Sequence, residues 1–197
     1  MLFVLTADSN DRARIYYLGV IYMKRSLKLW QISGFIFTGI AGVLLHFLYD
    51  LTRGSVIVAP FSAVNESIWE HMKLLFFSMF IFALIEYKYI GKDYENFLCA
   101  KLAGILTGLL LIPVLFYTYT GMLGVTADWF NILIFFIASG VSYYLETLLL
   151  KNGTMLCKTP QLAFVLLCLI ALLFVVFTFV QPEIPLFMDM STGNYGI

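Results

Sequence analysis

The chain has few charged residues and no excess of either sign. Only 12% of its 197 residues are charged, while 61% are hydrophobic, and 12 basic side chains balance 12 acidic ones. Because soluble domains carry about 25% charged residues, this composition excludes a soluble fold. The balanced charge produces no bulk field that would attract nucleic acid, so we expect no nucleic-acid partner.

Cysteine is also scarce. The 3 cysteines form no CxxC pair, which excludes a disulfide scaffold and gives no zinc-ribbon spacing. Cys99, Cys157 and Cys168 lie in or beside apolar segments, and we expect all of them to be inert thiols.

Long apolar segments dominate the chain instead. A helix needs roughly 20 mostly apolar residues to cross the hydrocarbon core, and lipid can satisfy no free backbone group. Five segments qualify, at residues 27–49, 68–90, 97–119, 129–150 and 162–180. The sequence therefore predicts an all-α bundle of five transmembrane helices, a polytopic protein whose partner is the lipid bilayer.

The placement of lysine and arginine predicts the orientation of these spans. With the N-terminus inside, only Arg53 and Lys73 lie on the outer side. The inner side holds the other ten basic residues: Arg12, Arg14, Lys24, Arg25, Lys28, Lys88, Lys92, Lys101, Lys151 and Lys158. Because basic residues concentrate in cytoplasmic segments, we predict a cytoplasmic N-terminus and an outer C-terminus.

Residues 1–22 differ from the rest of the chain, since they are polar and their apolar patch is too short to span a membrane. Met23 is followed at once by basic residues and the first span. Our hypothesis is that Met23 is the natural initiator and residues 1–22 are over-translated; a short cytoplasmic surface helix is the alternative. Residues 23–197 are predicted to form one transmembrane domain, with the 182–197 tail folded on the outer face.

The first predicted span carries a stripe of small residues that ends in polar ones. Gly34, Thr38, Gly42, His46 and Asp50 recur every four residues on one helix face. Since small residues mark helix contacts in lipid, this stripe predicts that His46 and Asp50 point into the bundle at its outer end.

Two carboxylates, Glu86 and Glu146, lie near the inner ends of their spans. They suit a proton relay, but snorkelling or pairing with Lys88 or Lys151 is the simpler interpretation.

The densest polar chemistry enters the second span from the outer side, between residues 61 and 73. Such side chains are costly to desolvate at a membrane boundary without partners. Including the first span, the candidate ligand-binding residues are His46, Asp50, Asn65, Glu66, Trp69, Glu70, His71 and Lys73.

Helix capping explains part of this stretch. Ser67 and Glu70 match a capping box, in which both side chains satisfy free amides at a helix start. Trp69 suits a membrane interface. The two histidines are not explained in this way, which favours a site that binds something.

His46, His71, Glu66 and Glu70 are suitable ligands for a divalent ion such as zinc, although no HExxH motif is present. We predict that the two imidazoles meet at similar depth, beside Glu66 or Glu70 and under a roof of Trp69 and residues 185–189. One hypothesis is a pocket for a small polar ligand, an ion or a lipid head group. The alternative is a membrane-embedded hydrolase or transferase that uses the same side chains for acid–base chemistry, with or without a metal.

Several motifs together resemble a family of small multi-pass bacterial membrane proteins of unknown function. They are HFLYD at residues 46–50, FSxVNESxWEHxK at 61–73 and PLFxDxxTGxYG at 185–196. The family pattern has a second proline where this chain has Gln181. The resemblance implies a plasma-membrane location and a five-span plan beginning near Met23, and it supplies no reaction or ligand.

Overall fold

The computed structural model describes residues 9–152 and 157–196, and this part of the chain is helical with no strand. Five helices are long and apolar enough to cross a membrane, which confirms the predicted fold class. They are α1 (Ser9–Leu51), α2 (Ile68–Tyr89), α3 (Phe97–Leu123), α4 (Asp128–Asn152) and α5 (Pro160–Phe179). Which terminus faces the cytoplasm stays a prediction.

The N-terminal extension is continuous with the first span. Helix α1 begins at Ser9 and runs without interruption through the apolar segment Ser26–Leu51. Residues 1–8 lie outside the described part, and the hypothesis that translation starts at Met23 remains untested.

The first four helices form a closed ring of neighbours. Helix α1 packs against α2 and α4, α3 packs against the same two helices, and α5 lies outside the ring against α3 and α2. This arrangement brings the C-terminal end of α1 and the N-terminal ends of α2 and α4 together at one end of the bundle.

Small residues allow the close approach of these helices. A Cβ atom on Gly34 would lie 2.6 Å from the rings of Phe82 and Tyr143, and one on Gly42 would lie 2.5 Å from Phe135. Thr38, between the two glycines, is fully buried and hydrogen-bonds the Tyr143 hydroxyl at 2.9 Å. This face of α1 therefore packs against α2 and α4 as far as His46.

The end of the bundle where α2 ends and α3 begins holds a buried ion-pair cluster. Glu86 and Glu146 pair with Lys101 of α3, not with Lys88 or Lys151 as the sequence suggested. The prediction failed because Gly104 leaves space beside α3 in which the Glu146 side chain lies. Lys101 is thereby drawn into the bundle and is 1% exposed.

Cys99 and Cys157 are joined by a disulfide, with Cα atoms 5.8 Å apart. The structure therefore pairs two residues that were expected to be separate, inert thiols. The bond links the first turn of α3 to the segment that precedes α5, a proximity that the spacing of 58 residues does not reveal. Cys168 in α5 is an exposed free thiol.

Candidate metal centre

Two histidines and one glutamate converge at the end of the bundle where α1 ends and α2 begins. His46 lies four residues beyond Gly42 on α1, His71 lies in the first turn of α2, and Glu66 immediately precedes Ser67, the N-cap of α2. The two imidazole centroids are 5.7 Å apart. One potential ligand atom from each of the three side chains can be chosen so that all lie within 4.8 Å of one another.

The carboxylate of Glu66 lies between the two rings. Its Oε1 is 3.8 Å from His46 Nε2, and its Oε2 is 3.7 Å from His71 Nε2. Both separations exceed the 2.7–3.2 Å range of a hydrogen bond. Ligand atoms held by one tetrahedral zinc ion would be about 3.3 Å apart, so the three ligand atoms, which lie within 4.8 Å of one another, would have to approach by up to about 1.5 Å to share one ion.

The orientation of the His71 ring is held by the backbone. Its Nδ1 lies 2.8 Å from the Ser67 carbonyl oxygen, which can only accept, so Nδ1 is the donor. In the neutral ring the remaining nitrogen, Nε2, is then the basic one, and it is this atom that faces Glu66. A histidine that donates one N–H to a carbonyl and directs its other nitrogen at a cation is the usual arrangement in metal centres.

The position of His46 depends on an unusual contact in α1. The Ser62 hydroxyl donates to the Leu45 carbonyl and accepts from the Tyr49 amide at 2.9 Å. In a regular helix those two backbone groups bond each other. Ser62 therefore anchors the α1–α2 connection to the turn that carries His46, and this fixes His46 relative to Glu66.

Glu70 and Lys73, which the sequence analysis included in the site, lie elsewhere. Both are 0% exposed and form an ion pair of 2.5 Å. Glu70 also accepts from the Val64 amide at 3.0 Å, and Lys73 donates to Ala59 O and Thr178 Oγ1. Glu70 therefore faces away from the imidazoles, because its buried lysine partner and the loop amide hold it there.

The capping prediction is met only at Ser67. Its hydroxyl accepts from the Glu70 amide at 3.3 Å. The Glu70 side chain does not return to the Ser67 amide, which donates instead to Asn65 Oδ1 at 3.1 Å.

Three other predicted site residues also lie outside the cluster. Asp50 is exposed at the end of α1, one turn beyond His46, so it does not point into the bundle as expected. Trp69 packs against Phe187 and Phe174, each with a centroid distance of 4.6 Å. Asn65 Nδ2 donates to the Gly196 carbonyl at 2.9 Å, and this contact joins the tail to the α1–α2 connection.

A cleft of about 470 Å³ opens at the His46, Glu66 and His71 cluster. Its walls are mainly apolar side chains of α1 and α4, including Val43, Phe47, Ile132, Phe135 and Phe136. Val43, Phe47 and Ile132 are each at least half exposed on the flank of the bundle. The cleft thus has a polar floor and an apolar side that continues into the lipid-facing surface.

The cleft includes residues that the sequence analysis missed. Asn131 of α4 lines it, and its Oδ1 accepts from the Tyr119 hydroxyl at 2.6 Å. Met190 and Ser191 of the tail line it as well. A polar residue in the first turn of an apolar span is a signal for Asn131, but nothing in the sequence pattern distinguishes the two tail residues.

Comparison with known proteins yields a family but no activity. Residues 21–197 match the model of a family described as a family of unknown function (DUF6512). No curated protein and no solved structure matches the chain.

Proposed function

Because the chain belongs to the DUF6512 family, whose function is unknown, we propose from the geometry of the site that this multi-pass membrane protein binds a divalent cation. The ligands are His46, His71 and Glu66. The observation that supports it most is the convergence of three ligand atoms from two separate parts of the chain, the end of α1 and the start of α2. Two imidazoles and one carboxylate favour zinc over calcium or magnesium, which prefer oxygen ligands alone.

Metal content tests this proposal. The protein, purified in lipid nanodiscs and equilibrated with zinc, should hold about one ion per chain. His46→Ala and His71→Ala should each weaken zinc binding by more than the roughly 10–100-fold that loss of an outer-shell partner costs. Asp50→Asn is the matched control, because that carboxylate lies one turn from His46 but outside the cluster. Equal zinc content in the wild-type protein and both histidine variants would contradict the proposal.

The shape of the cleft supports a membrane amphiphile as the second ligand. A lipid could place its chains along the apolar walls and its anionic head group on the cation at the floor. Ile132→Trp, in the wall, should reduce the amount of co-purified or added phosphatidylglycerol. Leu133→Trp should not, since that neighbour is also exposed but does not line the cleft. Equal lipid retention by the two variants would argue against this occupant.

A hydrolase or transferase acting on such a lipid is the second candidate. Three protein ligands leave one position of a tetrahedral zinc ion open, as in catalytic zinc sites, where bound water becomes a nucleophile near neutral pH. Incubation of the zinc-loaded protein with phosphatidylglycerol vesicles should then release the head group, as measured by mass spectrometry. If the protein binds zinc but releases no head group, the binding function would stand and hydrolysis of phosphatidylglycerol would be excluded.

A further inference from the structure

The buried cluster at the other end of the bundle joins side chains from four helices. Lys101 of α3 contacts Glu146 of α4 at 2.5 Å and also pairs with Glu86 of α2. Gln31 of α1 donates from Nε2 to Glu86 Oε1 at 2.8 Å. All four residues are at least 95% buried, since the most exposed, Gln31, is 5% exposed. The cluster is separate from the candidate metal centre.

The formal charges in this cluster do not balance. Two ionised carboxylates beside one ammonium carry a net charge of −1, and no other lysine, arginine or histidine of the described residues forms an ion pair with either carboxylate. The other titratable groups that act on them are the phenols of Tyr94 and Tyr143, which are neutral near pH 7 and contribute no positive charge. An uncompensated charge at this depth is strongly unfavourable.

We propose that Glu86 and Glu146 share one exchangeable proton, so that the cluster is a proton-binding site inside the membrane domain. Two carboxylates that compete for one site ordinarily resolve their repulsion by binding a proton. With one proton bound, the three side chains are neutral in total. Release of that proton leaves the three side chains with a net charge of −1, and rebinding removes it.

The Gln31 amide is suited to both protonation states. Its Oε1 is buried and has no hydrogen-bond partner, while its Nε2 donates to the Glu86 carboxylate. A half-turn of the amide would direct Oε1 at a protonated Glu86, which could then donate to it. The unpartnered acceptor is therefore an independent sign that a donor hydrogen is accommodated here.

A surface cavity lies beside the cluster. A cavity of about 250 Å³ lies between α1 and α4 and is lined by Gln31 and Tyr143 together with Lys28, Tyr144 and Thr147. Gln31 thus has the carboxylate cluster on one side and the cavity on the other.

Infrared difference spectroscopy of the intact protein in nanodiscs tests the proposal. At pH 7 the wild-type protein should show the carbonyl band of a buried protonated carboxyl, and the band should shift on transfer to D2O. Glu86→Gln and Glu146→Gln should each abolish the band, because either variant leaves one carboxylate to balance Lys101. Glu95→Gln is the matched control, since Glu95 is exposed, and it should retain the band.

Three results would overturn the proposal. The first is absence of the band from the wild-type protein, a measurement that needs no variant to fold. The second is persistence of the band in both glutamine variants. The third is loss of the band on addition of sodium or potassium ions, which would identify a monovalent cation as the occupant.

Discussion

Burial separates two kinds of carboxylate at the end of the bundle where α1 ends and α2 begins. Glu66 is 50% exposed and faces two imidazoles, whereas Glu70 is fully buried and faces Lys73. An exposed carboxylate can exchange its partner with solvent or an ion. A buried pair cannot, and its role is to hold the α1–α2 connection and α5 against α2 through Ala59 and Thr178.

Breaking this buried pair should therefore reduce stability without affecting zinc. We expect Lys73→Met to lower the free energy of unfolding by about 3–5 kcal/mol, because it leaves Glu70 buried and uncompensated. The double variant Glu70→Leu/Lys73→Met should recover most of the loss, because no charge then remains. Thermal unfolding in detergent measures both effects. A double variant as unstable as the single one would show that the hydrogen bonds to Ala59 and Thr178 matter more than the charge.

Asp189 gives the tail a dependence on pH. Partial burial opposes its charged form, but hydrogen bonds from Ser191 and Thr192 outweigh burial and lower the pKa of Asp189 below its ordinary value of 3.8. A lowered pKa means that the ionised carboxylate stabilises the tail above that ordinary value, and the contribution is lost as the pH falls through the folded-state pKa. Amide exchange at Gly193, which donates to the Asp189 carbonyl, should accelerate in that acidic range. Asp189→Asn should exchange at a rate that does not respond to pH in this way after correction for intrinsic exchange.

The packing of α3 against α4 depends on two glycines. A Cβ on Gly108 would lie 2.7 Å from Leu75 Cδ2 of α2 and closer still to the Ser142 hydroxyl of α4, so both side chains must shift to admit it. Gly104 is limited in the same way by Glu146. These contacts make the α3–α4 interface sensitive to single methyl groups.

A comparison of two glycines in α3 tests this sensitivity. Gly108→Ala should destabilise the bundle by about 1–3 kcal/mol, the usual cost of overpacking. Gly121→Ala in the same helix meets nothing within 4 Å and should be neutral or stabilising, by up to about 1 kcal/mol of helix propensity. Equal melting temperatures for the two variants would indicate that the interface relaxes freely around Gly108.

Features that depend on neighbouring residues could be predicted from the sequence, whereas features that depend on contacts between helices could not. Hydropathy predicted all five spans because span length is a local property, and the stripe from Gly34 to His46 followed from helical periodicity. Glu70 and Lys73 are three residues apart in one helix, so each is within reach of the other. The pairing of Lys101 with Glu86 and Glu146 is not local, because it depends on the packing of three helices. The Cys99–Cys157 bond and the tail residues of the cleft likewise depend on tertiary contacts between distant segments.

The Cys99–Cys157 disulfide is typical of an oxidising compartment, whereas the predicted orientation places both cysteines on the cytoplasmic side. Cys99 and Cys157 lie at the end of the bundle that lysine and arginine placement assigns to the cytoplasm, with 10 basic residues against 2. Disulfides are rare in the reducing cytosol. We expect the charge bias to determine the orientation, so that the two sulfurs are thiols in the cell and bond only on oxidation.

Cysteine alkylation and reporter fusions together test whether this end of the bundle faces the cytoplasm. In cells quenched with acid, a Cys168→Ala variant should bind two maleimide reagents, one at Cys99 and one at Cys157, because both are reduced. Alkaline phosphatase fused within residues 50–59 or 120–126 should be active, and fused within residues 91–96 it should be inactive, since the enzyme matures only outside the cytoplasm. If Cys99 and Cys157 resist alkylation and only the fusions within residues 91–96 are active, the orientation is the reverse of the predicted one. The His46, Glu66 and His71 cluster would then face the cytoplasm, and any metal or lipid would reach it from that side.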